Sequence, residues 1–278
     1  MTHVNVRMRS IIPLQDCSRD LGVIIEHVLR EKPWNIELVK SSLECFQSWA
    51  KHAADDEVKV AVTYPKLAQV VMDNTAAFFQ DPNTIFTAAE VFNEFDSTEG
   101  LPDKAIEVLV EILLYNGVVR ESYAYWKEGR IDFMSFRSIA SLAIAMSEAT
   151  IMKPKPTPPP FDLREDLLNM MMFLLDSEVG ALTFTFWIEL CEGYYSLFYA
   201  PWLQRILPIL LARCKQSRDV DEDEWKAFRE DVVELFEGIC SRLGSETVEP
   251  IVQQYLTDAV DHQEAREVAL VIPVDEVH

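Results

Sequence analysis

The chain has no apolar run of 18 or more residues, so no segment is long and apolar enough to cross a bilayer as a helix. Only 8 of its 278 residues are glycine. None forms the spaced clusters that cradle a phosphate or expose a nucleophile: GxGxxG, GxxxxGK followed by serine or threonine, and GxSxG are all missing. The five histidines, His3, His27, His52, His262 and His278, are scattered, and no HExxH or other ligand spacing occurs. Cys17, Cys45, Cys191, Cys214 and Cys240 lie far apart, mostly among apolar residues. That pattern predicts buried free thiols in a reducing compartment rather than disulfides or a metal site. Met1 to Pro13 is basic but lacks the apolar core and small-residue cleavage site of a signal peptide. Positive charge is scarce as well: 25 basic against 46 acidic residues give a net charge of −21. So acidic a surface repels nucleic acid and anionic lipid, and favours basic protein partners or simply solubility.

What remains is dense in apolar residues, 49% of the chain, and they recur at helical spacing. Helices are expected from Ser18 to about Glu31, from Ile36 after an Asn35 cap, and from Pro65 through Phe79. Further helices are expected from Thr84 to about Phe95, over Leu101–Tyr115, and over Ile131–Ser147. Val118–Trp126 reads as a continuation of its predecessor or as a short helix. Asp81 to Asn83 reads as a turn. Five prolines between Lys153 and Pro160 exclude helix and central strand, so that stretch reads as a stiff, extended interhelical loop. Later helices are expected over Leu163–Leu175, over Trp202–Cys214 with a kink at Pro208, and over Trp225–Leu243. Two more are expected over Val248–Val260, capped by Ser245, and over Glu264–Val271.

Ala181 to Leu197 gives conflicting signals. Thr183 to Ile188 is β-branched and aromatic, which locally favours a strand. Over a longer window, Leu182, Phe186, Leu190, Tyr194 and Leu197 form one helical stripe, and Phe184, Ile188, Cys191, Tyr195 and Phe198 a second beside it. Two adjacent stripes predict one helix covered on two sides. About a dozen antiparallel helices with short loops, paired at a period of roughly 40–50 residues, point to an all-α fold, a HEAT/armadillo-like α-solenoid. The expected organisation is a poorly ordered segment over 1–16, one solenoid over 17–262, and a polar tail over 263–278.

No catalytic constellation, metal site or cofactor motif emerges, and a non-enzymatic role is expected. Glu189 and Glu192 have helical spacing, but a solvated helix face explains the pair. From Asp219 onward there are 17 acidic and 4 basic residues. Within this region Asp221, Glu222, Asp223 and Glu224 form an acidic loop that could attract lysine and arginine, or merely face solvent.

Three segments resemble the importin-β superfamily of nuclear transport receptors, in the branch of importin-13 and transportin-3. Ser42-Leu-Glu-Cys-Phe-Gln-Ser-Trp49, with Cys45, Phe46 and Trp49, is similar to the family's Cys-Phe-x-Ser-Trp inner-helix motif. Leu182-Thr-Phe-Thr-Phe-Trp187, with Phe184, Phe186 and Trp187, resembles a segment from the middle of those receptors. Phe228-Arg-Glu-Asp-Val-Val-Glu-Leu-Phe-Glu-Gly-Ile-Cys-Ser-Arg-Leu-Gly244 resembles the helix that follows it. Order and spacing agree over about residues 17–255. The resemblance implies a HEAT-repeat protein that shuttles between nucleus and cytoplasm. Its implied partners are protein cargo, including basic cargo, nucleoporins and the GTPase Ran. Receptors of the family are several times longer, and this chain resembles only their middle arch. The N-terminal repeats that carry most of the Ran contact have no counterpart before Cys17. Phe184, Phe186 and Trp187 are expected to lock adjacent repeats together rather than to touch cargo.

Overall fold

A computed structural model describes residues 22–31, 34–55, 65–80, 84–99, 101–152, 161–193, 196–213 and 222–258. Several expectations lie outside these residues: the 1–16 segment, the turn at Asp81–Asn83, the proline-rich loop, Cys17, Cys214, the helix over Glu264–Val271 and the tail. The described residues are all-α, with no strand among them. They fall into two compact units, Met1–Met146 and Ser147–His278.

The first unit begins with α1 (22–30) and α2 (Ile36–Asp55). Asn35 opens α2 as expected, its side-chain oxygen accepting from Leu38 N at 3.3 Å. Before it, Trp34 donates its indole N–H to Leu29 O and stacks on Phe78 at 5.1 Å. The helix expected from Pro65 through Phe79 is interrupted, giving α3 (Pro65–Asp73) and α4 (Thr75–Gln80). The cause is Asn74, whose side chain donates to Val70 O at 2.8 Å. Its own N–H is shared between the Val70 and Val71 carbonyls. Such local side-chain bonding competes with the regular ladder. α5 (Ile85–Glu99) packs against α2 and α4. Val39, Leu43 and Phe46 of α2 and Ala88, Ala89 and Phe92 of α5 are wholly buried, so small residues lie among the larger ones where the two helices pack.

α6 (Asp103–Val110) does not continue regularly to Tyr115. Its last turn widens into a π-helix, Glu111–Tyr115, closed by Asn116 N on Glu111 O. Gly117, at φ +74°, then lets the chain start α7 (Val118–Lys127) as a separate helix. α8 (Phe133–Ile151) follows. Asn93 of α5 donates to Ser138 O of α8 at 2.8 Å, joining the two within this unit.

The second unit contains α9 (Phe161–Asp176), α10 (Phe184–Glu192), α11 (Ala200–Arg213), α12 (Glu222–Leu243) and α13 (Ser245–Asp258). Here Ala181–Leu197 departs from the single helix expected. Gly180–Thr183 is a 3-10 turn, α10 has only nine residues, and Gly193 leaves it in an extended conformation. A second 3-10 turn, Ser196–Tyr199, precedes α11. The two-sided burial is present within α10 itself. Phe184, Phe186, Trp187, Leu190 and Cys191 are buried, and Thr185, Glu189 and Glu192 form a narrow exposed strip. Phe198, expected on the second stripe, is instead 70% exposed, because the chain has left the helix before reaching it.

Two arginines from other helices hold the carbonyl ends of α9 and α10. Arg213, in the last turn of α11, donates to Leu175 O and Ser177 O at 3.0 and 2.5 Å. Arg242, near the end of α12, donates to Cys191 O and Glu192 O. The last carbonyls of a helix have no partner within it, so a guanidinium that reaches them satisfies bonds the helix cannot make. Gly180 makes room for Arg213. A Cβ there would collide with the Leu175 carbonyl and come within 2.8 Å of the Arg213 guanidinium carbon.

Two prolines lie inside helices. α11 continues through Pro208 to Arg213, with Pro208 on the exposed side, where water can meet the carbonyl that lacks a donor. α13 begins at Ser245, not near Val248, because Gly244 at φ +76° turns the chain directly out of α12. Pro250 therefore lies inside α13, beyond its first turn, and it too is exposed.

Candidate functional site

Among the described residues, aromatic and basic side chains converge most densely on the hairpin of α7 and α8. Its turn is specified by backbone chemistry. Gly129 takes φ +70°, Arg130 N bonds Tyr125 O at 2.8 Å, and Gly129 N bonds Trp126 O at 2.9 Å. This pair of bonds around a left-handed glycine is the Schellman end of a helix. Two residues later Asp132 caps α8. One carboxylate oxygen accepts from Ser135 N at 2.8 Å and the other from the Ser135 hydroxyl at 3.1 Å. The Ser135 backbone bond is the main reason that the Asp132 carboxyl lies below the usual carboxylate range. The hairpin thus has a defined turn and a defined start to its second helix.

Val118, Val119 and Ser122 turn inward from α7. Tyr123 and Trp126 lie on the same face of α7 as Val119 and Ser122, at three- and four-residue spacing, with Lys127 at the edge of that face. Trp126 stacks nearly parallel on the buried Phe136 at 5.5 Å and meets Phe133 at 5.4 Å. Tyr123 meets both Trp126 and Phe136. The Lys127 ammonium sits 4.6 Å from the Trp126 ring centre and 5.5 Å from that of Tyr123. The Arg130 guanidinium lies 4.0 Å from the Tyr125 ring. Cations over ring faces are attracted by the ring quadrupole, worth about 0.5–1 kcal/mol at exposed sites. Phe133 remains 38% exposed and Met134 59% exposed. From Val118 to Arg137 there are four basic and three acidic residues, and over the whole hairpin to Ile151 four of each, so its formal charge is zero on a chain of net charge −21. Two of the three carboxylates are engaged nearby, Asp132 in the cap and Glu128 with Arg130 at 3.5 Å. In the sequence the aromatic residues of this hairpin look like ordinary core. The alternation of Tyr, Trp, Lys and Arg from Tyr123 to Arg130 was the signal available.

The acidic stretch chosen from the sequence lies differently. Glu222, Asp223 and Glu224 form the first turn of α12 rather than a loop. Acidic residues favour that end of a helix because its unpaired N–H groups carry partial positive charge. Asp221, and the side chains of the other three, lie outside the described residues. Of the residues that carry the family resemblance, Phe46, Phe184, Phe186 and Trp187 are buried. Phe186 meets Trp187 edge-on at 5.2 Å, and Phe184 meets Phe228 of α12 at 5.5 Å. Cys45 is half-buried, and Trp49 lies in α2 with its side chain outside the described set.

Cys45, Cys191 and Cys240 are free thiols. Burial pushes the Cys191 thiol up to about 12, so almost none of it is thiolate at neutral pH and it is a poor nucleophile there. No group of three or more histidine, cysteine or acidic side chains that could hold a metal occurs among the described residues. No helix among them is long and apolar enough to cross a membrane. No protein-family model and no curated protein matches the chain.

Proposed function

We propose that this chain is a protein-binding segment of a nuclear transport receptor, a HEAT-type helical repeat that engages protein cargo in Ran-dependent nucleocytoplasmic transport. The observation that carries the reading is the packing order in the second unit. There α9 packs on α11, α10 on α12, and α11 on α13, while α11 also meets α12 and α12 meets α13. Contact with both the next helix and the next but one is what a stack of helix pairs requires, since each layer buries one face against the following layer. The two-sided burial of α10 agrees with an internal layer. The transport role itself rests on the resemblance of the Cys45–Trp49, Leu182–Trp187 and Phe228–Gly244 segments, two of which meet where Phe184 touches Phe228.

The test has two readouts. In cells the tagged chain should accumulate at the nuclear rim or shuttle between the compartments. In pull-downs it should retain phenylalanine–glycine nucleoporin repeats or basic nuclear proteins, with Ran·GTP as a further arm. Uniform cytoplasmic retention, together with no capture of nucleoporin repeats, nuclear protein or Ran·GTP, would overturn the transport role and leave a helical scaffold of another complex.

A further inference from the structure

We draw no further inference here: the strongest candidate, the face of the α7–α8 hairpin on which Phe133 and Met134 stay partly exposed, carries nothing, because the four basic and four acidic residues of the hairpin balance and nothing in the structure shows what covers it.

Discussion

Trp126 and Trp187 are both tryptophans on short helices beside other aromatic rings, yet they sit in opposite circumstances. Trp187 of α10 is wholly buried, edge-on to Phe186, and its indole N–H meets no acceptor among the described residues. Trp126 of α7 is half-buried, with Phe136 beneath it and Lys127 within reach of its ring. What differs is what covers them. α10 carries α12 against it, whereas Phe133 and Met134 beside Trp126 stay partly exposed to solvent. A ring enclosed by its own chain contributes its whole surface to the packing, whereas a half-buried ring under a cation contributes only part of it.

The sharpest test of this contrast is truncation at each ring. Trp187→Ala should destabilise the chain by about 3–5 kcal/mol, read from the denaturant midpoint, because it leaves a large cavity between packed helices. Trp126→Ala should cost much less, about 1–2 kcal/mol, since only part of the ring leaves a packed environment. Equal losses would erase the distinction.

A second test addresses how the carbonyl end of α9 is held. Gly180→Ala should destabilise by about 1–3 kcal/mol, because its Cβ would displace the Arg213 guanidinium from the Leu175 and Ser177 carbonyls. A neutral result would mean that Arg213 is not needed there.

On the hairpin, Asp132→Ala should cost about 1 kcal/mol through the lost cap on α8. The folded carboxyl lies below its ordinary range, so its contribution is present above the unfolded carboxylate pKa and fades as pH falls through the folded value. Flat stability of Asp132→Ala relative to the parent, at neutral pH, would mean that the turn alone starts the helix.

The smallest effect concerns Cys191. Its folded pKa of about 12 exceeds the ordinary thiol value, so its contribution is full below the unfolded pKa and is lost as pH rises toward 12. Between about pH 9 and 11 the parent should lose stability faster than Cys191→Ala. Native Cys191 should also resist thiol reagents at pH 8 until the chain unfolds. Rapid labelling of native protein would place that residue at an opening.

The helical character of nearly every segment was legible from the spacing of apolar residues, and the Asn35 cap from residue type alone. The breaks were not. Asn74, the π-turn before Tyr115, and Gly193 at the end of α10 each depend on a particular backbone bond or dihedral. A side-chain pattern carries no information about these. Gly244 shows the same limit, since its left-handed turn moved the start of α13 ahead of Pro250. The candidate site was least legible. Phe133 and Phe184 are the same residue type at helical spacing, and only the surrounding helices leave one partly exposed and bury the other.

By itself the sequence determined an all-α chain of strongly acidic charge, with buried apolar stripes and no motif for phosphate or metal chemistry. These follow from composition and from the 3.6-residue period, which are local properties of the chain. The tertiary structure alone decided which aromatic residues are enclosed, which carbonyls Arg213 and Arg242 reach, and where cations stand over open rings. Those depend on residues tens of positions apart, Arg213 with Leu175 and Arg242 with Cys191, and folding brings them together through packing that no local pattern encodes.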